Sequence, residues 1–179
     1  MHLTILLLAA ANILTTLLPN PYPLMLWPIP SDEFRPYQMV TYTFLHADAL
    51  HLILNMVALL SFGPTLAKAW GWWRFLLAYL TAAALGGMMQ ATVTDRPIVG
   101  ASAALFGLFA GCVIASPRKR GLRILVVPVQ AWKVLVAYVL LTLVAIFAHY
   151  LPGVAHVAHL GGVLAGVAFA LAYNDKPRL

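Results

Sequence analysis

Ser102 sits in the segment Gly100-Ala101-Ser102-Ala103, among residues small enough to let a substrate or another backbone come close. His159 follows in a later apolar run, and an imidazole is the side chain best matched to take a proton from a serine hydroxyl near neutral pH. His51 and Asn55 are four residues apart, so they project from one face of a helix and address one point in space. Attack of a serine on a peptide carbonyl creates an oxyanion, which needs donors already in place. His51, Asn55 and the Ser102 backbone N–H are candidates for that task. No carboxylate is positioned to orient the base, since Asp32, Glu33 and Asp95 fall in loops, Asp175 in the tail and Asp48 near the outer end of a span. A Ser102/His159 dyad is therefore favoured over a triad. Phe106, one helical turn beyond Ser102, is placed to stack on the His159 ring in place of the missing carboxylate.

Each residue also has a plain reading. A serine in an apolar helix usually bonds its own backbone one turn back. Glycines four apart, as at Gly107/Gly111 and Gly162/Gly166, mean close helix packing, and that reading is kept for them. A histidine within a span can simply bond a neighbouring helix. Polar groups in three separate apolar runs are harder to account for this way, because each is expensive inside a bilayer.

The elements that carry these residues follow from composition. The chain has 179 residues, 63% hydrophobic and 9% charged, whereas a soluble domain is about half apolar and about a quarter charged. A water-soluble globule is excluded, and at roughly 20 residues per crossing the length accommodates about six spans. The net charge of +6 comes from clusters of Lys and Arg between apolar runs. That is the signature of membrane topology, and no nucleic-acid partner is expected. Cys112 is the only cysteine, so no intramolecular disulfide and no cysteine metal motif is possible.

The spacing predicts spans over Leu3 to Leu18, Met39 to Phe62 (stopped by Gly63-Pro64), Trp72 to Thr92, Ala101 to Ala115 (stopped by Ser116-Pro117), a start between Ile124 and Trp132 running to Tyr150, and Val154 to Tyr173. Trp70, Trp72 and Trp73 read as an interfacial anchor. Between the first two spans, Pro19 to Pro36 holds six prolines and the pair Asp32 and Glu33, which suits a long ordered surface loop. With both termini cytoplasmic, Lys68, Arg74, Arg118, Lys119, Arg120, Arg123, Lys176 and Arg178 share one side. Arg35 and Arg96 lie opposite, and the loops around Glu33, Asp95 and Pro152 face outward.

Taken together, these residues resemble the rhomboid family of intramembrane serine proteases. The likeness covers nearly the whole chain: the six-span layout, the long first outer loop, the His51/Asn55 pair, the serine segment Gly100 to Ala103 and the segment Ala158 to Gly166 occur in the family's order. The resemblance implies an all-α membrane protein, a single six-helix domain over residues 1–179. It further implies Ser102 as nucleophile, His159 as its base, and His51 and Asn55 at the oxyanion site in a water-filled cavity below the outer surface. Gly100, Ala101, Ala103 and Phe106 support them. His46 matches a structural position beneath the first loop, and His156 reads as a packing or lining residue. No metal or organic cofactor is implied. The substrates would be other membrane proteins, reached laterally from the lipid and cut at small side chains, and the compact chain suggests a bacterial inner membrane.

Two positions depart from the family pattern. Ala103 stands where glycine usually follows the serine, adding a methyl group beside the nucleophile, and Tyr37-Gln38 stands where many members have Trp-Arg. The first bears on activity and substrate fit, the second on how the loop is anchored. Three other functions compete: a silent relative that binds transmembrane clients, a small transporter using His46, His51, His156 and His159 as a proton or metal path, and a membrane metalloprotease. The chain keeps both serine and histidine, shows no convincing internal repeat, and lacks HExxH.

Overall fold

The apolar runs form helices, but with different breaks from those the sequence suggests. In the computed structural model, which describes residues 2–115, 122–124, 127–148, 150 and 153–173, seven helices follow one another. They are α1 (His2–Leu14), α2 (Gln38–Thr41), α3 (Ala49–Trp70), α4 (Trp72–Ala91), α5 (Ser102–Ala115), α6 (Ala131–Phe147) and α7 (His156–Ala172). A hairpin of β1 (Leu122–Ile124) and β2 (Val127–Val129) precedes α6, so Pro128 lies in a strand and the helix begins after it.

The expected second span differs most. Residues 38–48 form α2, a single 3₁₀ turn and a bend, and the long helix starts only at Ala49, where the Asp48 carboxylate caps it by accepting from the His51 N–H at 2.8 Å. Gly63-Pro64 does not stop it. Pro64 removes one intrahelical hydrogen bond, yet the burial of Phe62, Gly63, Leu66, Ala67 and Trp70 carries the helix on to Trp70. Trp70 is accordingly not an interfacial anchor. It is 8% exposed and packs on Phe169, ring centres 5.3 Å apart, while Trp72 and Trp73 remain exposed.

Among the described residues α3 alone, with 22 residues, is both long and apolar enough to cross a membrane. Helices of 17 residues such as α6 and α7 reach about 25 Å, slightly less than the roughly 30 Å hydrocarbon layer. Large apolar side chains nonetheless cover the outward faces: Leu50, Ile53 and Leu60 on α3 and Leu140, Leu141, Val144 and Phe147 on α6 are all exposed.

Helices α4, α5 and α7 form the tightest part of the fold. A β-carbon at Gly162 would collide with the Ala103 carbonyl and one at Gly166 with the Gly107 carbonyl, so α5 and α7 touch backbone to backbone. Ala103 is 1% exposed, and its methyl group faces Gly86 of α4, away from solvent.

The segment Pro19 to Pro36 is an ordered loop, as its composition suggests. Leu26 and Ile98 pair as an antiparallel bridge, with hydrogen bonds of 3.1 and 2.9 Å, laying the loop against the chain that leads into α5. Gln38 is its hub. Buried at 2% exposure, its Nε2 donates to the carbonyls of Pro23 and Glu33, and its Oε1 accepts from the Arg35 N–H at 3.0 Å and the Trp27 N–H at 3.4 Å. Tyr37 is exposed. Lys68, ending α3, and Arg74, starting α4 and lying 5.0 Å over the Tyr173 ring, are at the opposite end from Arg35 and Arg96. Ser116, Pro117, Arg118, Lys119, Arg120, Pro152, Asp175, Lys176, Arg178 and the Arg123 side chain lie outside the described residues.

Candidate functional site

Three helices begin at the same end of the bundle, and each brings a polar side chain on its first turn. Ser102 opens α5, His51 is the third residue of α3, and His159 the fourth of α7. Their N-terminal ends carry positive partial charge and unpaired N–H groups, so the point where they converge favours a developing negative charge.

Ser102 Oγ lies 2.7 Å from His159 Nε2. The serine is half-buried and the histidine 8% exposed, so the contact sits in a sheltered pocket open on one side. Asn55 is 6% exposed, and its Nδ2 has no hydrogen-bond partner among the described residues. A buried amide N–H₂ left unpaired is costly unless something else uses it. His51, one turn earlier on the same face, and Asn55 line the same cavity as Ser102 and His159, a space of about 1310 Å³.

Gly100 explains how His51 reaches the serine. Its φ of +129° lies where side chains are rarely tolerated, and the bare Cα leaves the space occupied by the His51 ring. The Gly100 N–H donates to the Tyr42 carbonyl at 3.0 Å, fixing the approach to α5. Ala101, 1% exposed, accepts from the Leu105 N–H at 3.0 Å and so starts the helix that presents Ser102. Ala103 points away from the cavity, into the α4 contact.

His46 lies in the turn before α3 with its ring edge-on to His51 at 5.0 Å. Burial, and then the neighbouring His51, push its imidazole down to about 4, so it is neutral near pH 7. The His156 ring, 6.4 Å from that of His159, donates from Nε2 to the Tyr150 carbonyl at 3.1 Å and ties down the chain before α7. Among the described residues no three His, Cys, Asp or Glu side chains gather as metal ligands would.

Phe106 meets the His159 ring at 4.8 Å, tilted by 47° and not stacked. Its stacked partner is Tyr138 of α6, at 3.8 Å and 11°. Sequence reasoning passed over Tyr138, whose hydroxyl lies 2.6 Å from His159 Nδ1. The available signal was weak: a tyrosine in the middle of an apolar helix whose hydroxyl needs a partner when buried.

A model of the Rhomboid domain family matches residues 33–176. The chain is 31% identical over 155 residues to Rhomboid-like protease 3 of Toxoplasma gondii, covering 81% of this chain and 54% of that protein. It is 29% identical over 169 residues to Rhomboid-type serine protease 2 of Emericella nidulans (89% of this chain, 31% of that one). It is also 30% identical over 144 residues to Rhomboid protease GluP of Bacillus subtilis (79% and 27%). The chain thus spans about half the length of the first of these relatives and less than a third of the other two.

Proposed function

The chain belongs to the rhomboid family, and on that footing we propose that it is an intramembrane serine endopeptidase working through Ser102 and His159. The observation that carries this reading is the 2.7 Å contact between Ser102 Oγ and His159 Nε2 at the convergence of three helix starts. In the proposed reaction Nε2 takes the Oγ proton as Oγ attacks a peptide carbonyl. The oxyanion is met by the Ser102 N–H, which as the first of its helix has no carbonyl within it, by the unspent Nδ2 of Asn55, and by the His51 ring. The imidazolium then returns its proton to the leaving amine. Water entering the cavity attacks the acyl-serine, again with His159 as base.

The reading extends to the setting. The chain forms one domain crossing the membrane six times, with both termini cytoplasmic and the dyad near the outer face of a bacterial inner membrane. The exposed Leu and Val of α3 and α6 support a lipid surround on the flanks of the cavity. Substrates are transmembrane segments arriving laterally and cut at small side chains.

The test is cleavage of a transmembrane reporter by purified protein in liposomes. Cleavage abolished by Ser102→Ala and by His159→Ala, with melting temperatures retained, is the expected result. Cleavage that survives Ser102→Ala overturns the mechanism. Absence of cleavage across several reporters, with tight binding of a transmembrane peptide, replaces it with client binding.

A further inference from the structure

A serine–histidine dyad without a carboxylate leaves one question open in chemical terms: what holds the imidazole with its proton on the correct nitrogen. His159 acts on Ser102 through Nε2, so Nε2 must be unprotonated and Nδ1 must carry the hydrogen. An Nδ1–H that is buried needs an acceptor, or the ring gains by moving its proton to the other nitrogen. The hydroxyl of Tyr138 lies 2.6 Å from Nδ1, within hydrogen-bond reach.

We propose that Tyr138 is the positioning residue of the dyad: its hydroxyl oxygen accepts the Nδ1–H of His159 and thereby keeps Nε2 free to face Ser102. Several features make it suited to that task. The phenol is itself anchored, because its ring stacks on Phe106, ring centres 3.8 Å apart. Ser102, His159 and Tyr138 thus form one chain of hydrogen bonds with two hydroxyls and one imidazole. Phe106 contributes by packing against both the phenol and the imidazole. The proton balance closes within the chain. The Ser102 proton passes to Nε2, Nδ1–H stays bonded to the Tyr138 oxygen throughout, and no net charge is placed on the phenol. A neutral acceptor does the orienting without putting a carboxylate charge among apolar helices, where it would be expensive.

The proposal rests on the serine-protease reading, so the test separates the two. Purified protein is labelled with a fluorophosphonate, which reports Ser102 nucleophilicity directly, alongside Ser102→Ala and Tyr138→Phe. Tyr138→Phe keeps the ring on Phe106 and removes only the oxygen. It is expected to label about 10- to 100-fold more slowly, and to lower kcat on a peptide substrate with KM and melting temperature unchanged. Nitrogen-15 NMR of labelled histidine should show the Nδ1–H form of His159 in the unmodified protein and a mixture in Tyr138→Phe. Labelling of Tyr138→Phe at the full rate, a loss of rate matched by a fall in melting temperature, or a resting Nε2–H form each overturns the assignment of Tyr138 alone. Failure of the unmodified protein to label overturns the protease reading, and this proposal with it.

Discussion

Gly100 and His51 occupy one another's space: a β-carbon on Gly100 would lie 2.7 Å from His51 Cε1 and 2.8 Å from its Nε2, and 3.8 Å from Ser102 Oγ. Two residues 49 positions apart in the chain therefore fit only because one of them has no side chain.

Gly100→Ala follows directly. The added methyl forces the His51 ring away from the serine and strains a backbone at φ +129°, costing about 1–3 kcal/mol of stability. If His51 helps to hold the oxyanion, kcat falls by about 10²–10³-fold, while fluorophosphonate still reaches Ser102. Steady-state kinetics beside a thermal melt checks this. Full activity in a folded Gly100→Ala protein would remove His51 from the oxyanion site.

Ala103→Gly tests a departure from the family pattern that the residue type alone makes suspicious. Because the Ala103 methyl packs against Gly86 and does not reach the cavity, reverting it to glycine leaves kcat and KM where they are. The change lowers stability by about 1–2 kcal/mol through lost burial and weaker helix propensity. A rise in kcat would show that the methyl group does hinder the nucleophile.

Gln38→Leu removes the hub of the first outer loop. The carbonyls of Pro23 and Glu33 and the N–H groups of Arg35 and Trp27 lose their shared partner, which destabilises the protein by about 2–4 kcal/mol. Limited proteolysis should find new cleavage between Pro23 and Arg35. An unchanged digestion pattern would mean that the Leu26–Ile98 bridge alone holds the loop.

The Ser102–His159 pairing was legible because a serine among small residues and a histidine at the head of a glycine-bearing helix are conspicuous in a chain with 9% charged residues. Asn55 and His51 were legible from spacing alone, since a period of four survives any tertiary arrangement. Tyr138 was not, because its meaning depends on how α6 lies against α7, which no local pattern encodes. The helix break near Ala49 was hidden for a related reason. Residues 39–45 are as apolar as a span, but the Asp48 cap and the Gly100 N–H bonded to the Tyr42 carbonyl settle the backbone there. Gly63-Pro64 misled in the opposite direction, as burial on both sides outweighed a local stop signal.

The α5–α7 seam places Ser102 and His159 on two helices separated by glycine against carbonyl. Side chains can change rotamer, but a backbone pressed on a backbone has nowhere to move, so the spacing of Ser102 and His159 is insulated from the fluctuations of the side chains around them. The cavity walls on α3 and in the chain before it, by contrast, are made of replaceable side chains such as Met25, Leu54 and Val57. In the proposed mechanism the proton-transferring pair is thereby held on the rigid seam, while α3, which also carries His51 and Asn55, lends the cavity its softer walls. On that mechanism, selection, natural or in the laboratory, can rework Met25 or Val57 for a new substrate and leave the Ser102–His159 spacing as it is.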